Sequence, residues 1–228
     1  MKAKALFLQE NRRAPFYKVH TGRRGRQMER YVITINRQFG SMGRPIARHL
    51  SELLKINYYD RDIVEQTAGK LNLSVSTISA AEDYVKSRFS FMRYPLGADM
   101  QAKQDEIYHA QEEIIRDFAA KESCIIVGRC ADYVLRDFEN RLDFYIYAPY
   151  EQRYQNCVNL LYMEPSEAKY MIKAVDKARN AYHKRYAGYK PGDPDHNDLM
   201  INSAMLGVEG TAKYLADLVK LRFPKYGK

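Results

Sequence analysis

Residues 31–54 read YVITINRQFGSMGRPIARHLSELL. Val32, Ile33 and Ile35 are apolar and β-branched, which suits a buried strand. Gly40 and Gly43 then bracket a tight turn. Pro45 fits the first position of a helix, where a missing N–H costs nothing. From there Ile46, Ala47, Leu50, Leu53 and Leu54 recur at helical spacing on one face. A strand, a glycine turn and a helix N-terminus in that order aim free backbone N–H groups and a helix dipole at one spot. An anion, and most naturally a phosphate, is the expected occupant. The same glycines would also serve an ordinary strand-to-helix turn.

Outward from this stretch, short apolar runs alternate with helical patterns. INYYD (residues 56–60) reads as a strand ending in an acid, followed by helices over 61–70 and 73–89. A long helix is expected from about Asp99, a plausible N-cap, to Lys121, with Ile107, Ala110, Ile114, Ile115 and Phe118 on one face. CIIVG (124–128) and LDFYIYA (142–148) read as buried strands. Helices follow over 151–162 and 167–187, then a turn-rich loop at 189–197, a strand at 198–202 and a last helix at 208–223. Strands alternating with helices predict a parallel α/β sheet covered on both faces, with ligands beyond the strands' C-terminal ends. Asn36, Asp60, Gly128 and Asn202 stand at such ends and are expected to gather around one site.

Composition sets the outer bounds. A chain of 228 residues allows one good-sized core, or one core plus a mobile subdomain, and 46% hydrophobic with 29% charged residues is ordinary for a soluble globular protein. No run approaches the ~18 apolar residues that span a bilayer, and no signal-peptide pattern opens the chain. A cytoplasmic protein with no membrane partner is expected. Cys124, Cys130 and Cys157 show no metal or C-x-x-C spacing, and no metal site is expected. The net charge of +9 is concentrated in residues 1–30, which hold nine Lys or Arg and two acids. This basic arm reads as a solvated tail. Nucleic acid is expected as a partner only through it. Met28, just before the first strand, is an alternative start. Removing residues 1–27 is expected to leave thermal stability nearly unchanged. A large fall in melting temperature would show instead that Leu6, Phe7, Leu8, Phe16 and Tyr17 pack on the core.

Six segments taken in order, ITINRQFGSMGRPIARHL, INYYDRDIV, IIVGRCADYVL, FYIYAPYEQR, DKARNAYHKRY and NDLMINSAMLGVEGTAKYL, resemble the cytidylate kinase-like family of P-loop proteins. The resemblance runs from Tyr31 to about Leu221. It implies a P-loop-like three-layer α/β fold with about five parallel strands, a helical monophosphate-binding insertion and a charged lid over approximately 164–197. It also implies transfer of a phosphoryl group from ATP, with Mg2+, to a monophosphate such as CMP or dCMP. Carried over by position, Arg37, Gly40, Ser41, Met42 and Gly43 match the phosphate loop, and Asn202 the base-binding end of ATP. Asp60, Arg61, Gly128 and Asp132 match the acceptor pocket. Asp176, Lys177 and Arg185 belong to the lid. Arg44, Arg129 and Arg179 are the candidates for stabilising the transferring group.

The loop departs from G-x-x-x-x-G-K-[ST], whose Lys holds the β/γ-phosphates and whose Ser or Thr ligates Mg2+. Aligning the strands puts Arg37 at the first glycine and Gly43 at the lysine. Aligning the last glycine instead puts Arg44 at the lysine and Pro45 at the hydroxyl position. Met42 stands where related sequences have glycine, and Cys130 replaces an acid after Gly128-Arg129. These departures leave open a second reading, a nucleotide- or phosphate-binding protein without kinase turnover. Asp132 is the nearest structural partner for Arg129, and a surface charge cluster is the alternative reading of Asp60.

Overall fold

The computed structural model describes residues 30–82 and 97–224. Five parallel strands form one sheet: β1 (Val32–Arg37), β2 (Asn57–Tyr59), β3 (Cys124–Val127), β4 (Arg141–Tyr147) and β5 (Leu199–Asn202), in the spatial order β2-β3-β1-β4-β5. Register is direct: Ile33 lies beside Ile125 on β3 and Leu142 on β4. Because side chains alternate across a strand, Ile33 and Ile35 enter one face of the sheet. There they meet Ile46 and Leu50 of α1 (Gly43–Leu54) and Leu215 and Val219 of α8 (Gly207–Arg222). Val32 enters the other face with Cys124 and Ile126. It packs there against Ile115 and Phe118 of α4 (Gly97–Lys121) and Val134 of the short α5 (Ala131–Val134). A central strand covered on both sides asks for apolar side chains on both faces; Val32, Ile33 and Ile35 supply them, and the buried Thr34 hydroxyl is satisfied by donating to Asp143 Oδ1 at 2.6 Å.

The remaining helices are α2 (Arg61–Leu71), α3 (Val75–Glu82), α6 (Tyr150–Asn159) and α7 (Pro165–Ala187), with a 3-10 turn at Pro194–His196. Several boundaries differ from the sequence expectation. Helix α1 starts at Gly43, so Pro45 is its third residue; the first turn tolerates this because its N–H groups lack intrahelical partners anyway. Helix α4 already begins at Gly97, which puts Asp99 inside the helix rather than at its cap. Helix α6 ends at Asn159 rather than 162: Tyr162 takes a left-handed φ of 54°, which a helix does not admit, and Pro165, which opens α7, keeps Glu164 in extended backbone. The expected helix over 73–89 is seen as α3, and its part beyond 82 lies outside the described residues, as does the N-terminal arm.

Helix α1 covers one face of the sheet and α5 the other, so the chain leaves the adjacent ends of β1 and β3 in opposite directions. A crevice opens where such neighbouring connections diverge. No helix among the described residues is long and apolar enough to cross a membrane.

Candidate functional site

The crevice holds a cavity of about 580 Å³. Asn36, Arg37, Asp60, Gly128 and Arg129 reach it from the ends of β1, β2 and β3, Arg44 from α1, Arg61 from α2, and Arg179 from α7. Of the four strand-end residues expected to converge, Asn36, Asp60 and Gly128 line it, while Asn202 does not. The Asn202 side chain instead accepts the Ala204 N–H.

Asp60 is the centre of the charge arrangement. It is buried, not part of a surface cluster. Arg44 Nε stands 2.5 Å from its Oδ2, while Arg129 Nη1 lies 2.9 Å and Arg37 Nη2 3.7 Å from its Oδ1. Arg129 therefore pairs with Asp60, not with Asp132, the partner that sequence proximity suggests. Asp132 is bound elsewhere, by His183, Tyr189 and Asn36. Burial opposes charge on Asp60, but Arg37, Arg129 and Arg44 outweigh it and hold the carboxyl at about 2. Burial and the neighbouring Arg179 push the Arg37 pKa well below its usual value, against the attraction of Asp60. A guanidinium stays protonated in proteins, so this is a buried cation crowded by other cations, which favours an incoming anion.

The glycine loop lies beside the cavity. Gly40 takes φ +76°, and Met42 takes the left-handed φ of 60° as the residue before α1. Ser41 N–H reaches Gln38 O at 3.4 Å, whereas the N–H groups of Met42, Gly43 and Arg44 find no protein acceptor among the described residues. Side chains from elsewhere hold the rest of the loop. Asn156 donates to Gly40 O (2.8 Å), Ser203 to Ser41 O (2.8 Å), Arg179 to Arg37 O (3.1 Å), and Asp176 accepts the Phe39 N–H (2.7 Å). Arg153 completes the set by pairing with Asp176 at 2.5 Å. Nothing in the local pattern of α6 marks Arg153 or Asn156 for this work.

The segment expected as a lid is mostly α7. Asp176 and Arg179 face the loop, Lys177 is exposed, and Arg185 pairs with Asp105 on α4 at 2.8 Å, away from the cavity. Tyr186 stacks on Tyr108 and Tyr189 on His196, so these rings pack on the protein, while Tyr182 lines the cavity. Cys130 is buried, and burial with the nearby Asp132 raises its pKa well above the usual thiol value. It offers no charge at the position where Cys130 replaces an acid of the family pattern.

The profile of the cytidylate kinase-like family matches residues 32–205, from the start of β1 to just past β5. The solved structure of an uncharacterized protein from Eubacterium ventriosum ATCC 27560 is 24% identical with a TM-score of 0.64, covering 84% of this chain and 99% of that one. Shikimate kinase from Bacteroides thetaiotaomicron is 11% identical with a TM-score of 0.51, covering 83% and 98%. No curated protein matches the chain. These likenesses show a shared α/β fold, that of shikimate kinase among them. The profile takes in the glycine loop, Asp60 and Arg129 in one alignment, and on that match the chain belongs to the cytidylate kinase-like family.

Proposed function

We propose that the protein transfers a phosphoryl group from ATP, seated on the glycine loop, to a nucleoside monophosphate in the cavity, with CMP or dCMP as the acceptor. The observation that carries this reading is the charge balance. Among the described residues, Arg37, Arg44, Arg61, Arg129 and Arg179 line the cavity, with Asp60 as its one carboxylate. That surplus attracts a multiply charged anion and suits fork-shaped recognition of phosphate. In-line transfer needs no side-chain nucleophile. The acceptor oxygen attacks, and cations stabilise the charge spread over the transferring group. In this reading Arg44, Arg129 and Arg179 take that role, Arg44 by leaving Asp60 for the incoming phosphate. In the same reading Gly40 to Gly43 and the N–H groups of Met42 to Arg44 hold the donor phosphates.

The residues present do not fit a protein-held Mg2+. Pro45 has no hydroxyl, and Ser41 is fully buried, its Oγ held between Gln38 O (2.9 Å) and Ile146 O (3.1 Å) and outside the cavity lining. No three His, Cys, Asp or Glu side chains gather into a metal site among the described residues. Mg2+ therefore belongs to the ATP co-substrate in this reading. The same observation favours a second reading, nucleotide binding without turnover. ADP release from ATP and Mg2+ across a panel of nucleoside monophosphates separates the two. Acceptor-dependent ADP is expected with CMP and dCMP, and binding with no ADP from any acceptor selects the second reading.

Arg129→Ala is expected to weaken CMP binding by roughly 1.5–3 kcal/mol, the range for a hydrogen bond to a charged group, and to change ATP affinity little. Arg129→Lys should rescue only part, since an ammonium lacks the two-pronged geometry. Calorimetric titration with CMP and with ATP checks this. Unchanged CMP affinity would make Arg129 a structural residue that holds Asp60.

A further inference from the structure

Two of the loop's departures meet in space. With the strands aligned, position 37 holds arginine where the loop motif has its first glycine, and position 43 holds glycine where the motif has lysine. A Cβ at position 43 would stand 2.7 Å from Arg37 Cβ and 2.9 Å from Arg37 Cγ, closer than carbon atoms pack. Backbone conformation does not ask for glycine there. Gly43 is the first residue of α1 and has no left-handed φ, unlike Gly40 and Gly128. In a helix glycine is a poorer choice than alanine by up to ~1 kcal/mol. The Arg37 stem is what excludes a side chain at 43. At its far end the Arg37 guanidinium lies against Gly128, where an added Cβ would collide with Nη1.

We propose that Arg37 and Gly43 form a single exchange across the loop. The cation that the motif places on the first turn of the helix comes here from the end of β1, and Gly43 leaves room for it. Arg37 then binds the terminal phosphates of a nucleoside triphosphate together with the free N–H groups of Met42, Gly43 and Arg44. This rests on the phosphate-binding reading above and assigns the cation within it. The Arg37 side chain is about nine-tenths buried at the cavity wall, and its Nε has no hydrogen-bond partner among the described residues. Its nearest acid, Asp60, stands 3.7 Å away and is shared with two closer guanidiniums. Arg44, the alternative cation from sequence, is 60% exposed and turned onto Asp60. A lysine at 43 and an arginine at 37 would compete for the same volume, so either alone completes the loop and both together overfill it.

The test uses the full chain with four proteins: wild type, Arg37→Gly, Gly43→Lys, and Arg37→Gly with Gly43→Lys. Glycine is the replacement at 37 because alanine would keep the Cβ that stands 2.7 Å from a Cβ at 43. ATP is titrated calorimetrically and thermal melting is followed in parallel. Arg37→Gly should lose about ten-fold or more in ATP affinity. Gly43→Lys alone should melt lower than wild type and gain no affinity. The double variant should melt above Gly43→Lys and bind ATP within about three-fold of wild type. Wild-type ATP affinity in Arg37→Gly overturns the proposal, as does a folded double variant that binds no better than Arg37→Gly. If wild type itself binds no ATP, the functional reading fails, and melting alone judges the exchange. It survives if Gly43→Lys is destabilised and the Arg37→Gly change relieves it, and is overturned if Gly43→Lys melts like wild type.

Discussion

Replacing His183 with alanine is expected to cost about 3–5 kcal/mol of stability, the range for breaking a buried ion pair from one side. His183 is 3% exposed on the C-terminal half of α7. Its Nδ1 lies 3.0 Å from Tyr189 O, and its Nε2 lies 2.9 and 3.0 Å from the two oxygens of Asp132. A carbonyl and a carboxylate only accept hydrogen bonds, so both ring nitrogens must donate, and the ring is an imidazolium. Asp132 also accepts from the Tyr189 hydroxyl at 2.9 Å and from Asn36. Without His183 the buried carboxylate keeps those bonds but loses its counter-charge. Burial alone would lower the His183 pKa, yet Asp132 and Tyr189 O raise it above the ordinary 6.5. A raised folded-state pKa means the contribution is complete below 6.5 and is lost as pH rises through the folded value. Urea unfolding of wild type should therefore show stability falling above neutral pH, with a flatter profile in His183→Ala. A wild-type profile that does not fall, or a loss under about 1 kcal/mol in the variant, would show that the ring is neutral and its pairing unimportant.

Asp60→Ala is expected to be comparably destabilising in the absence of ligand, again about 3–5 kcal/mol, and to be rescued by anions. Arg129 and Arg37, with side chains 8% and 10% exposed, carry most of the loss, since Arg44 is 60% exposed and its pair is screened by solvent. With the carboxylate gone, several guanidiniums face one another, and a bound phosphate or sulfate stabilises the folded state by mass action. The variant should gain more melting temperature from inorganic phosphate than wild type does. In wild type the carboxyl titrates at about 2 instead of 3.8, so its contribution is full above 3.8 and is lost as pH falls towards 2. Acid unfolding of Asp60→Ala should lack that component. Equal phosphate stabilisation in the two proteins would show that the arginines do not form an anion site.

These two residues mark how far the sequence can be read. Strand and helix identity is local. The β-branched run of β1, the apolar spacing of α1 and the short runs of β3 and β4 each encode burial through their own periodicity, so their order and the parallel α/β class follow from the chain alone. Strand ends are equally legible, which is why Asn36, Asp60 and Gly128 can be expected near one another. What those ends touch is a different matter. Arg129 and Asp60 are 69 residues apart, and His183 and Asp132 are 51 apart. No local pattern states that β3 lies between β1 and β2, which is what brings the first pair together. Asp132 one turn beyond Arg129 looks like its partner in sequence, but α5 turns it towards α7. The sequence by itself determined the elements, their order and the loop's departure from the phosphate-binding motif, because these depend on neighbours along the chain. The tertiary structure alone decided which carboxylate meets which cation, how α6 and α7 hold the glycine loop, and why position 43 is glycine, because each depends on which strand ends become neighbours in space.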